Sequence, residues 1–115
     1  MDRRNNERRS FFRGPVRPGR VMDIRYRGPE SASWVATHTR NIGVGGALIA
    51  TSSLLPVGST ISLELTLPTT SRTFVLAAMV RWVSAKDGMG VQFVGVDVDV
   101  LLELNDYFLT LERRV

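Results

Sequence analysis

The sequence predicts an all-β domain: about six short antiparallel strands, folded as a sandwich or a barrel, with one C-terminal helix packed against them. Three observations lead there. In "TISLELTLP", Ile61, Leu63, Leu65 and Leu67 alternate with Ser62, Glu64 and Thr66, the period of a strand with one buried and one wet face. Runs of this kind recur along the chain, separated by Gly, Pro, Asn and Asp at the short spacing of antiparallel sheets. After "VGVDVDV" the period changes, and Leu101, Leu104, Phe108 and Leu111 fall at steps of three and four, one face of a helix.

In chain order, "RPGRVMDIRYR" reads as the first strand. "SWVATHTRNIG" and "GGALIATS" are the second and third, meeting at a glycine-rich bend. Pro56 and Gly58 supply a turn before the alternating fourth strand, which Pro68 ends. The fifth, Phe74 to Val83, is almost continuously apolar, so it is either buried on both faces or bent across a barrel. "AKDGMGVQF" then offers an Asp-Gly turn with Met89, Val91 and Phe93 on one face, making the last two strands a hairpin. The helix is expected over Val100 to Glu112, capped by Asp97 or Asp99 and followed by Arg113 and Arg114.

At 115 residues, with 43% hydrophobic and 23% charged side chains, the chain has the size and balance of one globular domain. It contains no cysteine, which excludes disulfides and thiolate metal sites. No apolar run reaches the roughly 18 residues of a membrane span, and no signal-peptide core follows the basic start. The net charge of +4 is unevenly placed. Residues 1–27 hold nine arginines against three acids, and residues 28–115 hold six cations against eight acids. Fourteen of the fifteen cations are arginine, whose flat fork suits phosphate or a guanine edge. Within "ERRSFFRGPVR" nothing decides between a nucleic-acid arm, a targeting peptide, a disordered tail and a clamp for a small anion.

An enzyme is not expected. His38 is the one histidine, with no cysteine to join it, and Asp87, Asp97, Asp99, Glu103 and Asp106 suit turns, a cap and a helix surface. "GVGG" lacks the following Gly-Lys-Ser/Thr of a phosphate-binding loop. "NIGVGG", residues 41–46, joins an amide side chain to three glycines. By itself it reads first as a bend between strands, and second as a place where a flat ligand can approach the main chain.

Taken together, the two ends are more specific. Arg9-Ser-Phe-Phe-Arg13 is an Arg-x-x-x-Arg motif, and Asn41-Ile-Gly-Val-Gly-Gly46 stands where an Asp/Asn-x-Ser-x-x-Gly motif would follow one strand later. With "LPVGSTISLELTLP", "AAMVRWV", "GMGVQFVGV" and "LNDYF" in the same order, the chain resembles the PilZ domains over about residues 7–111. That resemblance implies a six-stranded antiparallel β-barrel with a C-terminal helix over residues 14–115, preceded by a flexible arginine-rich segment at 1–13. It also implies a cytoplasmic bacterial receptor for cyclic di-GMP, with no catalytic residues, cofactor, metal or membrane insertion, and with nucleic acid not expected.

Carried over by position, Arg9 and Arg13 would grip phosphates and guanines, Asn41 would hydrogen-bond a guanine, and Gly46 would leave room for the ring. Arg8 would add a phosphate contact of the kind that accompanies a stacked pair of ligands, while Phe11 and Phe12 would anchor the segment on the barrel mouth. Gly43 departs from the motif, which has serine there. A lost hydroxyl bond costs about 1 to 3 kcal/mol, roughly five- to a hundredfold in affinity. The alternative is therefore a degenerate PilZ adaptor that works by protein contact without the nucleotide. In either case output passes to an unidentified protein partner in a motility or regulatory complex, through the C-terminal helix or the "RTFVLAAMVRW" hairpin.

Overall fold

The computed structural model describes residues 20–112. Six strands and one helix follow in order: β1 (Asp23–Arg27), β2 (Val35–Ile42), β3 (Gly46–Ala50), β4 (Thr60–Thr66), β5 (Thr73–Ser84), β6 (Gly88–Val94) and α1 (Val98–Glu112). All neighbouring strands pair antiparallel in the order β1-β2-β3-β6-β5-β4, and β4 returns to β1. Of the two expected architectures, the molecule is the barrel. Closure leaves no sheet edge open to another chain.

The alternation in the sequence becomes an inside and an outside. Ile24 and Tyr26 of β1, Ile61, Leu63 and Leu65 of β4, and Met89 and Val91 of β6 all enter one core. Tyr26 is satisfied within it, donating its hydroxyl to the Ser53 carbonyl (2.9 Å) and meeting Thr51 Oγ1 at 2.8 Å. β5 is not buried on both faces. Phe74, Leu76, Ala78 and Val80 point inward, whereas Val75 on the outer side is 60% exposed. Its apolar outer face belongs to the ordinary apolar share of a protein surface, and a register shift between Val80 and Trp82 bends it around the barrel.

β1 starts later than its motif, at Asp23, because Met22 is already engaged by Thr39. The Thr39 amide donates to the Met22 carbonyl (2.9 Å), and the Met22 amide donates to Thr39 Oγ1 (2.9 Å). The helix starts earlier than expected, at Val98, with the Asp97 carbonyl accepting from the Leu101 amide at 3.0 Å. Asp97 is thus the capping position. Leu104 and Phe108 are fully buried and plug one mouth of the barrel, while Leu101 is half-buried at the rim. Antiparallel pairing brings the start of β1, the β2–β3 hairpin and α1 to that same mouth.

Candidate functional site

Strict alternation from the buried Thr39 would turn Asn41 into the barrel. A bulge prevents this: Thr39 pairs with Ile49 and Asn41 with Leu48, so Arg40 is the extra residue. Asn41 therefore shares the outer side of the wall with Leu48, where both side chains are nevertheless buried, and Ile42 returns to the core opposite Ala47. Arg40 itself crosses the outside of β3, donating from Nε to the Asp87 carbonyl at 2.9 Å. Asn41 Oδ1 accepts from the Ile42 amide at 3.0 Å, which orients the side chain and leaves its NH2 as the donor group.

A second bulge does the same on β5. Val80 pairs with Val91 inside, and Trp82 pairs with Gly90 outside, with Arg81 between them. The Trp82 indole lies against Gly90 so closely that a Cβ there would stand 2.2 Å from Nε1. Because Leu48 also pairs with Gly90, the residues Asn41, Leu48, Gly90 and Trp82 form one transverse row across β2, β3, β6 and β5. Trp82 was hidden inside a run that reads as a buried strand. Its position in a Trp-x-x-x-x-x-x-x-Gly hairpin pair is the signal that could have found it.

The hairpin beside this row is "NIGVGG". The Gly43 amide donates to the Gly46 carbonyl at 2.9 Å, and the Gly45 carbonyl accepts from the Phe93 amide at 3.0 Å. Gly46 has a reason to be glycine that involves no ligand, since a Cβ would stand 2.1 Å from the Val91 carbonyl oxygen. Gly43 has no such reason. The nearest atom to a Cβ there would be Arg20 Nη1 at 3.6 Å, an ordinary contact.

Arg20 is the second residue that sequence reading passed over. Its Nη1 donates to the Ile42 carbonyl at 3.1 Å, its guanidinium lies 5.8 Å from the Phe108 ring centre, and its carbonyl accepts from Thr39 Oγ1 at 3.0 Å. One arginine thus ties the start of β1 to the hairpin and to the plugging helix. Nothing local marks it, because all three partners are distant in sequence. Of the expected site residues, Asn41, Gly43 and Gly46 come together at this mouth. Arg8, Arg9, Arg13, Phe11 and Phe12 lie outside the described residues.

The opposite wall differs. A groove of about 840 Å³ runs over β4, β1 and β2, lined among the described residues by Arg25, His38, Glu64, Tyr107 and others, but not by Asn41, Gly43 or Gly46. Arg25 binds Glu64 through Nε and Nη2, each 2.7 Å from Oε1. That hydrogen bond holds the Glu64 carboxyl below its usual range, with charge attraction adding to it and desolvation opposing; Arg25 shifts upward for the same reason. Among the described residues no cluster of acids and histidine has the make-up of a metal site. No described helix is long and apolar enough to cross a membrane.

The chain is similar to the inhibitor of motility MotI/DgrA of Bacillus subtilis, at 19% identity and a TM-score of 0.71, covering 86% of this chain and 50% of that one. It therefore spans about half the length of that relative. It is also similar to the PilZ domain of CeSA from a cellulose-synthesizing bacterium, at 16% identity and a TM-score of 0.53, covering 81% and 90%. At these identities the likeness is one of fold. No curated protein matches. The family model for the PilZ domain, however, matches residues 3–109, a span that takes in both arginine and glycine motifs as well as the barrel and most of its helix, and the chain belongs to the PilZ domain family.

Proposed function

We propose that this chain is a cytoplasmic, non-catalytic cyclic di-GMP receptor that passes ligand occupancy to a protein partner controlling motility, polarity or biofilm formation. The observation that carries this reading is the pair of bulges that brings Asn41 and Trp82 to one wall, beside the glycine hairpin, with Arg20 anchoring the start of β1 there. Arg13 is seven residues from Arg20, and seven residues reach at most about 25 Å. Arg8, Arg9 and Arg13 are thus within chain reach of the wall.

The chemistry is complementary. Cyclic di-GMP presents two phosphates and two flat guanines. Guanidinium groups supply charge-assisted bonds to the phosphates and stacking to the purines, the Asn41 amide supplies an edge contact, and Trp82 supplies an indole edge and face beside them. A segment that orders only over bound ligand would convert occupancy into a change of shape at the mouth plugged by α1. The name of the Bacillus neighbour, an inhibitor of motility, supports a motility output.

Gly43 favours a second reading, a PilZ adaptor that has lost the nucleotide and acts by protein contact alone. Isothermal titration of the purified chain with cyclic di-GMP separates the two. The receptor gives saturable binding that Arg9→Ala, Arg13→Ala removes while the melting temperature is kept, and the stoichiometry distinguishes one ligand from a stacked pair. Absence of heat and of thermal stabilisation at saturating nucleotide leaves the adaptor.

A further inference from the structure

The outer face of α1 carries a second, unassigned pattern. Val98, Leu102 and Leu109 are 68%, 59% and 41% exposed, whereas the core-facing Leu104 and Phe108 are fully buried. With Asn105, also exposed, these positions follow steps of four, three and four and fall within an arc of about 60° on the helix. That spacing is a coiled-coil seam, with one polar residue of the kind that sets register. One border of the seam is occupied by the half-buried Leu101 and by Phe108, which is buried in the barrel core. Along the other run the exposed Asp99 and Asp106.

Charge identifies the occupant. The helix holds Asp99, Glu103, Asp106 and Glu112 and no lysine or arginine, in a chain whose net charge is +4. Glu103 already pairs with Arg72 at 2.5 Å, so Asp99 and Asp106 border the seam. A second copy of this chain fits poorly. Antiparallel pairing of two such seams sets their acidic borders against each other, and parallel pairing requires the border that the barrel covers. We infer that the exposed seam of α1 docks an amphipathic helix of a partner protein, one with an aliphatic stripe flanked by lysine or arginine on the side that meets Asp99 and Asp106. The inference goes beyond the receptor reading and stands without it.

The test uses the full chain and two designed 21-residue peptides, each of three heptads with leucine at both seam positions. One carries lysine at the flanking positions and the other glutamate. Titrated without nucleotide and followed by backbone amide NMR, the lysine peptide is expected to bind at least about tenfold tighter than the glutamate peptide, with shifts centred on Val98, Leu102 and Asp106. Leu102→Glu, an exposed substitution that leaves the core intact, is expected to abolish binding, and Asp99→Lys, Asp106→Lys to reverse the peptide preference. Equal affinity for both peptides, no binding at about 1 mM, or shifts away from α1 would overturn the inference. So would a dimer in sedimentation that Leu102→Glu dissolves, which would make the seam a self-interface. Because no nucleotide is present, failure here leaves the calorimetric test of the receptor untouched.

Discussion

The β2–β3 and β5–β6 hairpins are both rich in glycine, yet the two use it differently. In β5–β6 every glycine is demanded by the barrel. Gly88 has φ +113°, with a Cβ direction that ends 1.9 Å from the Ile49 carbonyl oxygen, and Gly90 lies beneath the Trp82 indole. In β2–β3 only the last glycine is so constrained, Gly46 against Val91 O at 2.1 Å. Gly43 and Gly45 lie outside the positive-φ region, and a Cβ at either meets open space or an ordinary contact. The difference separates glycine required by packing from glycine that packing does not explain. The surplus falls in the hairpin beside Asn41.

The largest expected effect breaks the constrained hairpin. Gly88→Ala combines a left-handed backbone with a main-chain collision and is expected to cost about 3 kcal/mol, read as a lower urea midpoint at unchanged slope. Gly46→Ala follows at about 2 kcal/mol, since its collision can be relieved by a small shift of β3 away from β6. If Gly46→Ala also loses nucleotide binding, that loss reports the displaced strand unless the melting temperature is unchanged. A Gly46→Ala variant as stable as the parent would show that β2–β3 holds no glycine that packing demands, and the contrast between the hairpins would be complete rather than partial.

Gly43→Ser sharpens the comparison from the other side. It restores the family's serine at a position where the Cβ is tolerated beside Arg20, so stability is expected to stay within about 0.5 kcal/mol. Affinity for cyclic di-GMP is expected to rise roughly five- to a hundredfold by calorimetry, the gain of one hydroxyl bond. Unchanged affinity would mean that the backbone already satisfies that ligand group. A receptor that appears only in Gly43→Ser would mark the parent as an adaptor.

What could be read in advance follows the same division. The alternation of Ile61, Leu63 and Leu65, and the helical steps of Leu104 and Phe108, each report a local period, and both face the core as expected. Asn41 was legible as a residue type but not as a direction. Arg40 adds one residue to β2 and reverses the alternation, and nothing in "THTRN" announces an extra residue. The same is true of Arg81, whose bulge turns Trp82 outward from a run that reads as buried. Arg20 was illegible for another reason, because its role consists of contacts to Thr39, Ile42 and Phe108, and those neighbours are made by closure of the barrel. Periodicity reports faces, whereas bulges and closure decide which side chains meet.

The smallest effect is the one whose sign is most informative. Gly45→Ala meets nothing within 4 Å, lies outside the positive-φ region, and keeps the carbonyl that accepts from Phe93. Its main consequence is in the unfolded chain, which loses conformational freedom, so the variant is expected to be more stable than the parent by about 0.4 to 1 kcal/mol. Gly88→Ala and Gly45→Ala are the same chemical change in two hairpins of one barrel, with opposite expected signs. Opposite shifts in urea midpoint would establish that the barrel does not need the glycine at position 45. If nucleotide affinity then falls while stability rises, glycine there serves close approach of a ligand to the main chain. If both rise or affinity is unchanged, the surplus glycine at that position has no part in binding, and the site contracts to Asn41, Trp82 and the arginines.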